Sequence, residues 1–426
     1  MILPCRIHRI RSHIDSLPFA LLFAAFLLIP RNEAMGQYGG GGSTSGAGGE
    51  GSVPFEITTG VDFGYDDHVI GSNPATNSSS QSSFFAKENL VLTYNRPGEE
   101  TEFRLLAVGR FTQFFDVSTE DKDLSVTSSF THNFTSRLSF RADIFGAYQT
   151  EPDFQSNIGP TNARAPHFDT NDIFSLTYHW LPRLSTVTSY TFERIKYESS
   201  SVSTSAIAVG QDRFQNTLAE RLQYSLTSRT SLTGEYRYEV IVYDTASSRD
   251  ATIHFALAGL EHHLTEHLLI NVLGGPSFRF FKNDGNTINP YAEVKVVYQG
   301  GNHSLDWRTS YGVEQPSQTV AAGATTLRSG LNLTYNLTSR IKLRAGASYN
   351  HEENQAGGTG GAAVNTSTGA QDSLNLTLDL KYTINKHFTA HVDYDYTNES
   401  GAGGTSSGAT SGFSRNRCFA GLTYTY

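Results

Sequence analysis

The 426-residue chain has only two cysteines, two methionines and two tryptophans. Cys5 falls in an N-terminal segment expected to be removed, which leaves Cys418, and one thiol excludes an internal disulfide. An exported protein without disulfides must draw its stability from elsewhere, and a closed hydrogen-bonded sheet supplies it. Beyond the N-terminus the chain also lacks any apolar run near the ~20 residues of a membrane helix. It lacks basic excess: the formal net charge is -9. That balance argues against a nucleic-acid partner. Apolar residues are 38% of the chain; counted with Gly and without Tyr they come to roughly 42%, a little below the usual 45–50% of soluble domains.

The N-terminus has the form of a secretory signal. Arg6, Arg9 and Arg11 precede an apolar stretch from Leu17 to Pro30, and Ala34 and Gly36 suit the small positions of a cleavage site. Cleavage is expected after Gly36, giving a signal peptide over 1–36. It removes four of the 32 bases and two of the 41 acids, so the remaining 28 and 39 give a net charge of -11. Residues 37–52, mostly Gly, Ser and Thr, are expected to form a flexible periplasmic tail before a barrel over 53–426.

The informative signal is alternation. Leu374, Leu376, Leu378, Leu380 and Tyr382 are separated by Asn375, Thr377, Asp379 and Lys381. Phe388, Ala390, Val392, Tyr394 and Tyr396 alternate in the same way with Thr389, His391, Asp393 and Asp395. A period of two is a β-strand with one apolar and one polar face. Eighteen such runs follow Pro54. Most reach the ~9–11 residues that a tilted membrane strand requires. Short connections such as Thr135-Ser136-Arg137, Leu181-Pro182-Arg183, Thr227-Ser228-Arg229 and Thr338-Ser339-Arg340 alternate with long ones rich in Gly, Ser, Thr and Asn. Short turns at one end and long loops at the other, with 27 Phe and 21 Tyr for interfacial girdles, specify an all-β fold. It is a transmembrane antiparallel up-and-down β-barrel of about 18 strands. The hairpin period would also suit propeller blades, but the short–long alternation argues against them.

A two-residue turn at Gly300-Gly301 would set Glu293 opposite Arg308 and Lys295 opposite Asp306. On the other face it would set Val294 opposite Trp307 and Val296 opposite Leu305. The charged residues expected to face the lumen are Arg104, Arg110, Arg141, Asp143, Glu235, Arg237, Glu239, Glu293, Lys295, Asp306, Arg308, Lys342, Arg344, Asp379, Lys381, Asp393 and Asp395. They serve as charge rings that select solutes, as cross-strand braces of the wall, or as both. Lys342 and Arg344 share a face and would attract anions, unless acids on neighbouring strands pair with them. The 150–171 loop is long enough to fold inward and narrow the pore.

Signals for enzyme chemistry are weak. His254, His262, His263 and His391 have no partners at metal-ligand spacing. Gly404-Thr405-Ser406-Ser407-Gly408 lies in a low-complexity loop rather than at a strand-to-helix elbow. Asp284-Gly285 is expected to be a plain turn. Neither a cofactor nor a metal is expected.

The chain ends Phe419-Ala420-Gly421-Leu422-Thr423-Tyr424-Thr425-Tyr426, where Gly421, Tyr424 and Tyr426 resemble the signal read by the outer-membrane insertion machinery. Phe419 stands where that signal usually has a polar residue. With Gly64-Tyr65-Asp66-Asp67-His68-Val69 and Leu181-Pro182-Arg183-Leu184-Ser185, the chain resembles the outer-membrane β-barrel porin families. Within them it resembles the group whose genes often lie beside exopolysaccharide clusters. The resemblance implies a barrel in the cell outer membrane, with outer-membrane lipid and the insertion machinery as partners. The combined expectation is a porin-like channel for passive passage of small hydrophilic solutes. The alternatives are a conduit for exopolysaccharide export, and a structural or adhesive barrel with a plugged lumen.

Overall fold

Strands with one apolar and one polar face bury the apolar side in lipid and leave no hydrogen-bonding edge only if the sheet closes on itself. The computed structural model of the chain shows that closure. It describes residues 54–69, 81–151, 166–198, 212–245, 247–282, 286–315, 323–355, 370–401 and 413–426. The expected signal peptide, the tail, the Gly404–Gly408 match and Asp284-Gly285 lie outside the described residues.

The first nine strands are β1 (Phe55–Val69), β2 (Gln81–Arg96), β3 (Thr101–Phe114), β4 (Glu120–Asn133), β5 (Leu138–Gln149), β6 (His167–Leu181), β7 (Leu184–Tyr197), β8 (Arg213–Ser225) and β9 (Thr230–Tyr243). The remaining nine are β10 (Ala251–His263), β11 (Leu268–Phe281), β12 (Thr287–Gln299), β13 (His303–Glu314), β14 (Gly323–Asn336), β15 (Ile341–Gln355), β16 (Ala370–Thr383), β17 (Phe388–Gly401) and β18 (Phe413–Thr425). Each strand pairs antiparallel with its sequence neighbours, and β1 pairs with β18 to close the ring. β6 begins at His167, so the loop before it is shorter than the 150–171 span expected from composition.

One turn design recurs at the short-turn end. In Phe134–Arg137, Leu226–Arg229, Leu264–His267 and Leu337–Arg340 a threonine occupies the second position. The Thr135 hydroxyl accepts the Arg137 and Leu138 N–H groups at 3.2 and 3.0 Å. Thr265 and Thr338 repeat both bonds, and Thr227 accepts the Arg229 N–H. Asn385 plays the same part with its side-chain oxygen for His387 and Phe388. A side chain that mimics a backbone turn explains why Thr and Asn stand at this position. The carbonyl at the fourth position then accepts an N–H from a neighbouring strand end: His179 to Arg137 at 2.9 Å, His263 to Arg229 at 2.8 Å and Thr383 to Arg340 at 2.8 Å.

The β12–β13 hairpin corrects the sequence expectation. Lys295 lies opposite Arg308, Val296 opposite Trp307, Val297 opposite Asp306 and Glu293 opposite Ser310. The turn is wider than two residues: Gln299 faces Ser304, and the Gly300 N–H bonds the His303 carbonyl at 2.8 Å. The two expected cross-strand ion pairs are therefore absent, and Arg308 instead donates to Asp306 on its own strand at 2.8 Å. Faces are unchanged, because a shift of two residues preserves the pleat.

The outer wall is apolar and exposed along Leu376, Leu378, Leu380 and Tyr382 and along Val392 and Tyr394. Aromatic rings meet near the short turns, as in Tyr94–Phe103 at 5.9 Å, Tyr178–Trp180 at 4.7 Å and Phe388–Tyr424 at 5.1 Å. Another row, with Tyr65–Phe84 at 5.1 Å and His254–Phe280 at 5.5 Å, lies toward the long loops. Two rings of aromatics around an apolar belt form a bilayer-matched surface. Cys418 is a free thiol exposed on the outer face, not a packed wall residue.

Candidate functional site

Inside the wall, charged side chains meet each other across strands that are not neighbours, because the curved sheet turns their common face inward. On one side Arg237 of β9 reaches Glu293 of β12 at 2.8 Å and also donates to Glu235 on its own strand. Glu235 accepts from Arg221 of β8 as well. The Tyr291 hydroxyl donates to Glu293, and the Arg237 guanidinium lies 5.5 Å from the Tyr291 ring. Ile241, Ile253, Phe255, Leu257 and Leu273 form an apolar patch beside this network. Charge-assisted bonds in such low-dielectric surroundings are stronger than they would be in water.

The second network spans the closure of the barrel. Asp62 of β1 accepts from Asn89 at 2.7 Å, pairs with Lys87 at 2.9 Å, and meets His391 Nε2 at 2.9 Å. Higher in the lumen, fully buried Asp66 accepts from Arg415 Nη2 at 2.5 Å and from Arg417 Nε at 3.1 Å. Glu151, at the root of the loop after β5, accepts from the same two arginines at 2.8 and 3.1 Å. β18 lies five steps from β5 around the ring, so this loop root reaches across to a strand that is not its neighbour.

Register places the seventeen charges expected from alternation on the same face as these networks. Arg104 pairs with Glu102 at 2.5 Å, and Arg141 bonds Asp143 at 2.6 and 2.9 Å while Ser129 donates to Asp143 at 2.7 Å. Asp306 holds Arg308, and Lys381 meets Asp379 at 3.2 Å. Arg110 lies opposite Asp123, Asp395 opposite Arg417, and Asp393 opposite Asp379. Glu239 is within electrostatic reach of Arg279 and Glu193. Lys295 lies opposite Arg308. Lys342 lies opposite Lys381 rather than an acid, whereas Arg344 lies opposite Asp379.

Among these seventeen residues, the ion pairs therefore run mostly along a strand, between residues two apart, as in Arg141–Asp143, Arg308–Asp306 and Lys381–Asp379. Sequence reasoning missed Asp62, Asp66, Lys87, Arg221, Arg415, Arg417 and Glu151. Alternation in β1 and β18 marks the inward side of four of them, but their partnership depends on ring closure. Among the described residues no group of three or more His, Cys, Asp or Glu is placed to hold a metal ion. The arrangement offers charge and hydrogen-bonding groups along an enclosed path.

No protein-family model matches the chain, and no curated protein matches it. Among solved structures it is similar to OccAB4 of Acinetobacter baumannii, at 11% identity and a TM-score of 0.42, covering 88% of this chain and 99% of that one. It is similar to OccK5 (OpdH) of Pseudomonas aeruginosa, at 12% identity and a TM-score of 0.42, covering 87% and 98%. It is also similar to the siderophore receptor PirA of Pseudomonas aeruginosa, at 11% identity and a TM-score of 0.39, covering 88% and 80%.

Proposed function

We propose that the protein is an outer-membrane channel that passes small hydrophilic solutes passively through its lumen. One observation carries this reading: an 18-strand ring closed by β1 and β18 is apolar outside, while its charges meet one another inside. A barrel of 16–18 strands leaves an aqueous path rather than a packed interior. Bilayer-matched girdles support a seat in an outer membrane, and on this reading the short turns lie in the periplasm and the long loops outside. The paired charges of the two networks line the path, where rings of fixed charge discriminate among solutes. Glu151, reaching from the end of β5 to Arg415 and Arg417 of β18, narrows it.

The test is single-channel recording of the protein purified from membranes and inserted into planar bilayers. Stable steps that scale with salt concentration are expected. A folded, inserted barrel that carries no current would overturn the channel and leave a plugged barrel whose outside loops are the working part.

A further inference from the structure

Four arginines stand in a row on the short-turn rim. Arg137, Arg183, Arg229 and Arg340 are exposed. None of these four takes part in an ion pair among the described residues. They also occupy equivalent places, each the last residue of a short turn between an even-numbered strand and the next. His267 holds the same place in its turn, and His387 with Lys386 beside it holds it in another.

The backbone of this position is fixed while the side chain is left free. The carbonyls of Arg137, Arg183, Arg229 and Arg340 each accept an N–H from a neighbouring strand end at 2.8–2.9 Å. The guanidinium groups are thus presented from rigid points around the rim. Each turn also begins with a large apolar residue that is exposed: Phe134, Leu181, Leu226, Leu264, Leu337 and Ile384. An exposed apolar side chain and a cation, two or three residues apart and repeated around a ring beside an aromatic row, fit one environment. It is the boundary between acyl chains and headgroups, where the apolar residue enters the hydrocarbon and the arginine meets phosphate.

We infer that the short-turn rim is a phosphate-binding collar for an anionic phospholipid leaflet. The inference rests on the membrane-barrel reading above. Arginine suits the role because its planar fork binds phosphate oxygens bidentately and its charge is permanent. The exposed apolar residues argue for lipid over a soluble acidic polymer, which would have no use for them. Two turns depart from the pattern: Gly300-Gly301-Asn302 carries no charge, and the turn after Arg96 carries Glu99 and Glu100. The collar therefore has gaps near β2–β3 and β12–β13.

The test uses the whole protein reconstituted in vesicles of phosphatidylcholine with spin-labelled phosphatidylglycerol or spin-labelled phosphatidylcholine as the probe. Electron spin resonance gives the relative association of each probe with the barrel surface. Expected is a several-fold preference for phosphatidylglycerol that falls as salt rises. The preference is lost in the R137Q/R183Q/R229Q/R340Q variant and largely kept when the same four become lysine. Heat-modifiable migration on gels verifies that each variant is folded, and the salt dependence of the native protein tests the collar if the glutamine variant is not. No preference in the native protein, or a preference unchanged in a folded glutamine variant, overturns the collar. Binding of a soluble polyanion without any lipid preference overturns it too and assigns the rim to an acidic polymer. Conductance read on the same preparations separates the two proposals: lipid preference without current removes the channel alone, and current without lipid preference removes the collar alone.

Discussion

Replacing Asp66 with alanine tests whether the closure network holds the ring together. The Asp66 carboxylate is 0% exposed, and its two guanidinium partners, Arg415 and Arg417, are 5% and 19% exposed. It accepts from Arg415 Nε at 3.0 and 3.1 Å, from Arg415 Nη2 at 2.5 Å, from Arg417 Nε at 3.1 Å and from the His68 N–H at 3.0 Å. Two negative groups, Asp66 and Glu151, face two positive ones. Asp66→Ala leaves Glu151 as the acid that hydrogen-bonds both arginines, with Asp395 opposite Arg417 on the neighbouring strand. Removing one partner from a buried ion network costs about 3–5 kcal/mol, because the remaining charge stays buried without compensation. Glu151 remains within 2.8–3.2 Å of both arginines, which sets the expectation at the lower end, about 3 kcal/mol. The assay is equilibrium urea unfolding of the reconstituted barrel, followed by the fluorescence of Trp180 and Trp307. A companion variant, D66L/R415M, replaces both members with apolar groups and leaves Arg417 on Glu151. It is expected to recover most of the loss, since a buried pair replaced whole by apolar groups is often near neutral. A loss under about 1 kcal/mol for Asp66→Ala would match a solvent-screened surface pair and refute a buried network.

Two further outcomes are expected. A Cβ at Gly421 would lie 2.0 Å from Asp62 Oδ1 and 2.8 Å from the Val61 carbonyl, so Gly421→Ala must displace the carboxylate that holds Lys87, Asn89 and His391. A cost of about 1–3 kcal/mol is expected from overpacking, measured after refolding into detergent without insertion machinery; wild-type stability there would assign Gly421 to the insertion signal alone. At the long-loop end, Asp244 lies beyond β9 and accepts from Arg194 Nη1 and Nη2 at 2.8 and 2.5 Å, which holds its carboxyl below the ordinary aspartate range. A depressed folded value stabilises above the unfolded value and is lost as pH falls through the folded one. Acidification through the carboxylate range should therefore lower the protection of amides near Asp244 relative to their intrinsic exchange rates, and Asp244→Asn should abolish that loss of protection.

The strands were legible because period two is a local property. Leu374 to Tyr382 shows both faces of β16 without knowledge of any neighbour, and the structure places β16 over Ala370–Thr383. The Thr-Ser-Arg turns were legible as a shared chemistry, and the structure extends it to Thr265 and Asn385, whose sequences look different but whose side-chain oxygens make the same bonds. Register was less legible. The Gly300-Gly301 pair suggested the tightest hairpin, and the resulting error of two residues left every side chain on its expected face. Alternation cannot detect such a shift, and the charges that appeared to confirm it have other partners: Arg308 bonds Asp306 along its own strand and Glu293 bonds Arg237 from β9.

That substitution of partners explains why the site was the least legible part. Residues two apart on a strand share a face, so Arg141 and Asp143, or Lys381 and Asp379, find each other without any cross-strand register. These local pairs stabilise the wall and demand little of the fold. The pairs that define the lumen need tertiary shape: Asp66 and Arg415 are 349 positions apart and meet when β18 joins β1, while Arg237 and Glu293 have two strands between them and meet when the sheet curves. Neither leaves a signature in sequence spacing. The inward face of each strand is thus set by its own residues, while the partner each charge meets is set by the curvature of the whole sheet. The functional surface of a barrel is a property of closure, and its chemistry becomes readable only when the last strand has met the first.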